Sequence, residues 1–268
     1  MRVVDLDRDM SDVIPTGTTR DSQYLFERMT GRTLALAGAA PGRRILDVAS
    51  GFGQDALALA RAGAAVVGAE PSRRMLGWVK LVTGREPPPQ PCFVQAWSDA
   101  LPFRSGSFDA VICKGALDHF DRPQQAIDEM ARVTRSDGRV VLAIANFESL
   151  ACRLARAVDG LREGAPGGGV RRGRRHYDVP ADHFTRYDLA LMREQASHAL
   201  ELEQVEGVSL GWGLAAWTRA VERLPASLAG GALQALGALA RAWPALADVV
   251  ILAGRPRRRS ARSASTSR

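Results

Sequence analysis

The sequence predicts an α/β fold built on a doubly wound, mostly parallel sheet. Three observations support this prediction. Residues 44–60 combine a short apolar run, a glycine turn and the start of an amphipathic helix, short apolar runs then alternate with helical segments as far as residue 145, and a last apolar run lies at Asp248–Gly254. Strands that alternate with helices at this spacing are typical of a parallel sheet covered by helices.

The first unit is the one around which the rest is organised. Residues 45–49 form an apolar run interrupted by one acid, which suits a strand buried on both faces. Gly51 and Gly53 allow a sharp turn and a close approach to a ligand, because neither has a Cβ atom. The apolar spacing over 56–60 then fits a helix packed on the sheet. Ligands bind at the carboxyl end of such a strand, so we expect a nucleoside-containing cofactor here.

The other elements of the first 145 residues follow in order. An apolar pattern predicts a helix over 21–39, which Pro41-Gly42 ends, after an irregular segment at residues 1–20. Pro71-Ser72 opens a second helix, because proline in the first turn loses no hydrogen bond. Strands are predicted at Ala65–Ala69, Cys92–Gln95, Ser107–Cys113 and Arg139–Ala145, helices through about Thr83 and over Pro123–Thr134, a stiff proline-rich loop at 86–91 and a turn at Asp137-Gly138.

The second half is less regular. Residues 164–175 are rich in glycine and arginine and are predicted to be a surface loop or a mobile lid. A helix at 188–200 and a strand at 201–210 follow, and 212–247 should hold two helices separated near Pro225, a helical cover inserted before the last strand. The apolar part of that cover is shorter than the roughly 20 residues needed to cross a bilayer. We therefore expect no membrane span.

The composition is that of a globular protein. The chain has 268 residues, of which 46% are hydrophobic and 24% charged, so it can bury a large core. Its three cysteines are odd in number and widely spaced, which argues against a disulfide framework or a zinc site. Because this favours a reducing compartment and residues 1–20 lack the apolar block of a secretory signal, we expect a cytoplasmic protein.

The net charge of +7 comes mostly from one segment. Residues 255–268 contain six arginines and no acid, which leaves +1 for the rest of the chain. This basic tail has no apolar periodicity and is predicted to be disordered. It could bind nucleic acid. A solvated tail is favoured, because residues 1–254 show no matching basic excess. The predicted organisation is thus a helical segment at 1–40, one catalytic domain at 41–254 and the tail.

Acidic residues follow the glycine turn in a meaningful order. Glu70 lies 19 residues after Gly51, the spacing at which a carboxylate can accept both ribose hydroxyls. Asp99, after the third strand, could accept a hydrogen bond from an adenine amine, and Asp47 could orient the turn or bind a cofactor ammonium. The turn alone also fits a dinucleotide fingerprint, or a tight turn without any ligand. The ordered set favours a nucleoside cofactor.

Taken together, residues 44–145 resemble class I S-adenosylmethionine-dependent methyltransferases of the small-molecule type, the type 11-like group. The resemblance is specific in order and spacing over this part of the chain. It rests on six motifs, Ile45–Gly53, Val67–Ser72, Asp99–Phe103, Ser107–Asp109, Leu117–Phe120 and Gly138-Arg139.

The resemblance implies a seven-stranded sheet whose final strand, Asp248–Gly254, is antiparallel. It also implies that S-adenosylmethionine is the cofactor, with its ribose on Glu70, its adenine at Asp99 and Ala100, and its amino-acid part on the 47–53 loop. The cofactor-binding residues would be Asp47, Ala49, Ser50, Gly51, Gly53, Glu70, Pro71, Asp99, Ala100, Leu101 and Lys114, the last of which could instead cap the fourth strand. One residue departs from the family pattern, because Ala49 stands where glycine is usual; its methyl group should be tolerated if φ is negative.

Catalysis in such an enzyme is an in-line displacement at a sulfonium methyl group. The protein mainly aligns donor and acceptor and excludes water, and it needs a base only if the acceptor carries a proton. His119 and His183 are the candidate bases, with a structural role open for each. Residues 151–187 and 212–247 would select a small-molecule acceptor, which the sequence does not identify; nor does it fix the oligomeric state.

Three alternatives stay open at this point. A nucleic-acid methyltransferase is disfavoured, because Cys113-Lys114-Gly115-Ala116 follows the fourth strand in place of an Asn/Asp-Pro-Pro-aromatic loop. A nicotinamide dehydrogenase is disfavoured by Asp99 and by residues 101–103. A protein that keeps the fold as a scaffold, without methyl transfer, would be distinguished by its failure to bind S-adenosylmethionine.

Overall fold

The computed structural model describes residues 18–84, 89–164, 175, 177, 178 and 183–257. Seven strands within these ranges form one sheet in the order β3-β2-β1-β4-β5-β7-β6. The strands are β1 (Arg44–Val48), β2 (Ala65–Ala69), β3 (Cys92–Val94), β4 (Phe108–Lys114), β5 (Thr134–Ala145), β6 (Leu200–Val208) and β7 (Val249–Pro256). The helices are α1 (Arg20–Ala37), α2 (Gln54–Arg61), α3 (Arg73–Thr83), α4 (Pro123–Val133), α5 (Leu150–Glu163), α6 (Leu189–Ala199), α7 (Ala215–Arg223) and α8 (Ala226–Ala242).

The direction of the strands confirms the predicted sheet. The pairs β3-β2, β2-β1, β1-β4 and β4-β5 are parallel, whereas β7 lies antiparallel between β5 and β6. In the centre, Asp47 pairs with Gly68 on one side and with Ile112 on the other. The chain order reverses beside β1, so the carboxyl ends of β1 and β4 border the crevice where open α/β sheets bind their ligands.

Helices cover both faces of the sheet, which explains why its strands are apolar throughout. On one face, α1 and α2 pack against Ile45, Ile112 and Val141. On the other face, α4 and α6 pack against Leu46 and Leu142, and these side chains are almost completely buried. The sheet therefore forms the middle layer of a three-layer domain and holds its carboxyl edge rigidly.

The helical cover before the last strand is confirmed. α7 ends at Arg223 and α8 begins at Ala226, on either side of the predicted break at Pro225. The cover is fastened to α1, since Thr218 of α7 donates a hydrogen bond to Asp21 over 2.7 Å. It is also pressed onto β6, because a Cβ atom on Gly207 would lie 2.1 Å from the carbonyl oxygen of Ala240 in α8. No helix in the described part of the chain is long and apolar enough to span a membrane.

One helix was not predicted, and several boundaries differ from those predicted, among them the start of β5 and the end of β7. Helix α5 has no predicted counterpart, and its apolar residues Leu154, Val158 and Leu161 point into solvent rather than into the core. Strand β5 begins at Thr134 because that residue already pairs with Phe108, and the predicted turn at 137–138 is an irregularity within the strand. Strand β7 continues through Pro256, so residues 255 and 256, predicted to belong to the tail, lie in the last strand.

Parts of four sequence predictions lie outside the described residues. They concern the irregular start at 1–17, residues 86–88 of the proline-rich loop, residues 165–174 of the Gly/Arg loop and residues 258–268 of the tail.

Candidate active site

The loop between β1 and α2 has an unusual backbone. Ala49, Gly51 and Gly53 all have positive φ, of 56°, 56° and 85°. The turn is closed by the amide of Gly53, which donates to the carbonyl oxygen of Ser50 over 2.9 Å, and Gly53 also caps α2. A Cβ atom on Gly53 would lie 2.5 Å from the ring of Phe93, so any other residue here would be strained at φ of 85° and would displace that ring. The backbone amides at the start of α2 are thus presented toward the carboxyl edge.

Ala49 occupies the left-handed region that suits glycine. The sequence analysis expected its methyl group to be tolerated at negative φ, and the structure does not meet that condition. A left-handed backbone costs an L-residue roughly 1–2 kcal/mol, because Cβ approaches the following carbonyl oxygen. The loop therefore carries local strain at Ala49, the residue that the sequence analysis singled out as standing where glycine is usual.

Glu70, at the end of β2, fixes this loop. One carboxylate oxygen accepts the Gly51 amide over 2.9 Å and the other accepts the Ser72 amide, also over 2.9 Å. Burial raises the pKa of the Glu70 carboxyl group, and these two hydrogen bonds oppose the rise. Each oxygen has a second lone pair, so the carboxylate can bind a ligand while it holds the loop. The predicted ribose contact is compatible with this geometry and stays a prediction.

Asp47 is buried beneath the loop with one unpaired oxygen. Its Oδ2 atom has no hydrogen-bond partner among the described residues, nor has Oγ of Ser50, although both atoms are inaccessible to solvent. Burial and the neighbouring carboxylate of Asp55 raise the pKa of Asp47 well above its usual range, against the effect of Lys114. A buried acceptor without a partner is costly. A proton on this carboxyl group, which the raised pKa favours, or a cationic donor group brought next to it would lower this cost.

Lys114, at the end of β4, belongs to the same charged network. Its Nζ atom lies 2.8 Å and 2.9 Å from the two carboxylate oxygens of Asp55 and 2.7 Å from Oγ1 of Thr30. The Lys114 side chain therefore contacts both α1 and α2 and links the end of β4 to these helices. Its direct contact with a cofactor stays a prediction.

The loop after β3 holds the residues predicted to face an adenine. The Asp99 side chain is 10% exposed and lies 3.9 Å from the guanidinium group of Arg122. The amide of Leu101 donates to Glu129 over 3.0 Å, and Arg132 donates to the carbonyl oxygen of Leu101 over 3.1 Å. Side chains of helix α4 thus bind both the amide and the carbonyl oxygen of Leu101 in this loop. Ala100 is exposed, and Pro71 lies across from this loop, where its carbonyl oxygen accepts Gln95 Nε2.

The two predicted histidines lie together on the other side of the crevice. Leu117–His119 form a 3-10 turn directly after β4, and the rings of His119 and His183 are 4.0 Å apart between centroids. Between them, Asp118 places Oδ2 at 2.9 Å from Nε2 of His183 and Oδ1 at 3.9 Å from Nε2 of His119. The Asp118 residue is only 3% exposed. Asp118 is not among the site residues predicted from the sequence, although an acid directly beside a candidate catalytic histidine is a signal that could have indicated it.

This cluster of Asp118, His119 and His183 is joined to the cofactor side by β4. The carbonyl oxygen of Asp118 accepts the Phe184 amide over 2.8 Å, which fixes the chain next to His183. Burial and the carboxylates of both Asp47 and Asp118 raise the pKa of the Cys113 thiol. Strand β4 ends at Lys114 and the turn that carries Asp118 and His119 begins at Leu117, so the end of one strand positions both groups of residues.

Part of the chain is similar to known methyltransferases. Residues 46–142 match a protein family described as a methyltransferase domain. Demethylmenaquinone methyltransferase of Renibacterium salmoninarum is 37% identical over 133 residues, which cover 50% of this chain and 51% of that protein. The uncharacterized methyltransferase YcgJ of Bacillus subtilis is 31% identical over 99 residues, or 37% of this chain and 39% of YcgJ. The chain thus spans about half, or less, of these curated relatives' length.

Solved structures share the fold over a larger part of the chain. The crystal structure of YcgJ superposes with a TM-score of 0.54 at 20% identity, covering 87% of this chain and all (100%) of that one. Magnesium protoporphyrin IX methyltransferase of Synechocystis, solved with bound SAH, superposes with a TM-score of 0.59 at 17% identity, covering 90% and 89%. The similarity to both shows the same Rossmann-like methyltransferase fold.

Proposed function

Because residues 46–142 carry a methyltransferase domain, we propose that this chain transfers a methyl group from S-adenosylmethionine to an oxygen or nitrogen atom of a small molecule. The observation that carries the proposal is the unpaired, buried Oδ2 atom of Asp47 beneath a loop of left-handed backbone. A nucleoside cofactor with an ammonium group supplies what that oxygen lacks. When bound, S-adenosylmethionine brings a methyl group already activated by the positive charge on sulfur.

The residues that would hold the cofactor form a continuous surface. Asp47, Ser50, Gly51 and Gly53 would bind its amino-acid part, because two of these residues present unpaired acceptors and the glycines allow close approach. Ala49 contributes backbone only. Across the crevice, Glu70 and Pro71 would bind the ribose, with Lys114 holding Asp55 in place, and the adenine would lie against Asp99, Ala100 and Leu101.

The acceptor would bind on the side of His119 and His183. An acceptor hydroxyl must lose its proton for the oxygen to attack, and the charged cluster at the end of β4 is the part of the crevice able to assist. The relative named demethylmenaquinone methyltransferase supports a small organic acceptor over a nucleic acid. The remaining work is alignment and exclusion of water, which the crevice between β1 and β4 supports.

Calorimetry with Glu70→Ala tests the cofactor assignment. Hydrogen bonds to charged groups contribute roughly 1.5–3 kcal/mol, so loss of the carboxylate should weaken S-adenosylmethionine binding at least about tenfold. Glu206→Ala is the matched control, because Glu206 pairs with Arg32 over 2.6 Å on the surface and should leave the affinity unchanged. Thermal unfolding of both variants shows whether either substitution damages the fold. Glu70→Gln keeps an acceptor for one loop amide, so comparing it with Glu70→Ala separates damage to the loop from loss of the ligand contacts.

Two results would contradict the proposal. An unchanged dissociation constant in folded Glu70→Ala would remove the ribose assignment. Failure of the wild-type protein to bind S-adenosylmethionine would favour the scaffold alternative. Transfer of label from methyl-labelled cofactor to a metabolite extract then tests the reaction itself.

A further inference from the structure

We propose that Asp118, His119 and His183 form a binding site for a divalent transition-metal ion. One ligand atom from each of these residues can be chosen so that the three atoms all lie within 4.8 Å of one another. Two imidazole nitrogens and one carboxylate oxygen that converge in this way are a recurrent facial ligand set for divalent first-row metals, with positions left open opposite the protein.

One pair of ligand atoms already has the separation that such an ion requires. Metal bonds of about 2.0–2.2 Å to nitrogen and oxygen separate neighbouring ligand atoms by roughly 3.0–3.5 Å. Asp118 Oδ2 and His183 Nε2 are 2.9 Å apart. His119 Nε2 lies 3.9 Å from the other carboxylate oxygen, Oδ1, and its side chain is 29% exposed, so the His119 ring is the ligand that has to move toward this pair.

The surroundings of the carboxylate favour a cation there. The Asp118 side chain is only 4% exposed, and Oδ1 has no hydrogen-bond partner among the described residues. A buried carboxylate needs compensation by a charge or by hydrogen bonds. A proton shared with His183 would compensate only Oδ2, whereas a metal ion within the cluster compensates the whole carboxylate.

The ligands are also held in place before any ion arrives, as metal ligands usually are. The amides of Phe184 and Thr185 both donate to the carbonyl oxygen of Asp118, over 2.8 Å and 3.3 Å, which fixes His183 relative to the 3-10 turn. The ring of Phe147 packs edge-on against His183, with centroids 6.3 Å apart. The site therefore needs little reorganisation to bind.

The ligand types select the class of ion. Imidazole nitrogens suit Zn²⁺, Fe²⁺, Co²⁺ or Ni²⁺, whereas Mg²⁺ and Ca²⁺ prefer oxygen ligands alone. An acceptor hydroxyl bound at an open position would have its pKa lowered and release its proton to solvent, leaving the oxygen to attack the methyl group. Since a metal-bound imidazole has no lone pair for a proton, the histidines would then act as ligands. This catalytic role rests on the proposed function; the binding of the ion does not.

The test is metal binding by the full chain after treatment with a chelator and dialysis. Co²⁺ titration followed by visible absorption, and Zn²⁺ titration by calorimetry, should each show one ion per chain. His183→Ala, His119→Ala and Asp118→Asn should each weaken binding at least 100-fold. His198→Ala is the matched control, because His198 lies on α6 with Nδ1 3.3 Å from Gln124 Oε1 and should not alter binding.

The outcomes separate this inference from the proposed function. No stoichiometric Co²⁺ or Zn²⁺ binding by the wild-type protein, or binding that survives in His183→Ala and Asp118→Asn, would overturn it. Circular dichroism and S-adenosylmethionine affinity, measured on each variant, show whether the fold persists. If a variant fails to fold, His183→Gln is measured in its place. Metal binding without cofactor binding would contradict only the proposed methyltransferase function. Cofactor binding without metal binding would contradict only the proposed metal site.

Discussion

Replacing Ala49 with glycine should stabilise the protein. In the left-handed region, at φ of 56°, an alanine costs roughly 1–2 kcal/mol that glycine avoids. Glycine in turn makes the unfolded chain more disordered, which costs roughly 0.4–1 kcal/mol. The difference between corresponding ends of the two ranges is about 0.6–1 kcal/mol in favour of Ala49→Gly. For a domain of this size, each kcal/mol of added stability raises Tm by roughly 2–4 °C.

The measurement is thermal and denaturant unfolding of the wild-type protein and two alanine-to-glycine variants. Ala62→Gly is the control, since Ala62 is exposed at the end of α2 with φ of −78°, where glycine brings only its unfolded-state cost. We expect the two substitutions to shift the free energy of unfolding in opposite directions. If Ala49→Gly destabilises the protein as much as Ala62→Gly does, Ala49 is not in the left-handed region and the strain assigned to this loop is absent.

Two further predictions concern the last strand and the helical cover. Burial raises the pKa of Asp248 to about 6, so the folded state binds more protons than the unfolded state between pH 3.8 and 6, and this contribution to stability is lost as the pH rises. The difference in free energy of unfolding between the wild-type protein and Asp248→Asn should fall by about 1.3 kcal/mol from pH 5 to pH 7. A difference that does not change with pH would show that the pKa of Asp248 is not raised. Gly207→Ala should destabilise the fold by roughly 1–3 kcal/mol in urea unfolding, because the added methyl group meets the Ala240 carbonyl oxygen at 2.1 Å. Gly231→Ala, which has open space around it within α8, should instead stabilise by roughly 0.5–1 kcal/mol; equal effects would mean that α8 does not press on β6.

The elements that the sequence predicted well are those with buried periodic patterns. Strand β2 matches its predicted residues 65–69, because its inner positions are apolar and lie between β1 and β3 in the parallel part of the sheet. Helix α5 was missed for the opposite reason. Leu154, Val158 and Leu161 have helical spacing, but this apolar side faces solvent, so the pattern could not be linked to a core.

The site was predicted in its parts but not in its assembly. The order of Asp47, Glu70 and Asp99 along the chain was enough to indicate a cofactor crevice, because Asp47 lies near the end of one predicted strand and Glu70 and Asp99 each follow another. The sign of φ at Ala49 could not be read in the same way, since it belongs to a turn whose next amide, that of Gly51, is bound by Glu70 from 19 residues along the chain. The meeting of His119 with His183 depends on a loop returning from 64 residues away, which local patterns do not encode.

The place of β7 in the sheet has a consequence for synthesis on the ribosome. Because β7 lies between β5 and β6, β6 leaves the exit tunnel with no strand to pair with, and the edge of β5 stays open, until about 40 more residues have been translated. During that interval the nascent chain displays two unpaired strand edges, which are the surfaces most prone to pair with other chains. Chaperone binding to stalled nascent chains should therefore peak after β6 emerges and end once β7 does.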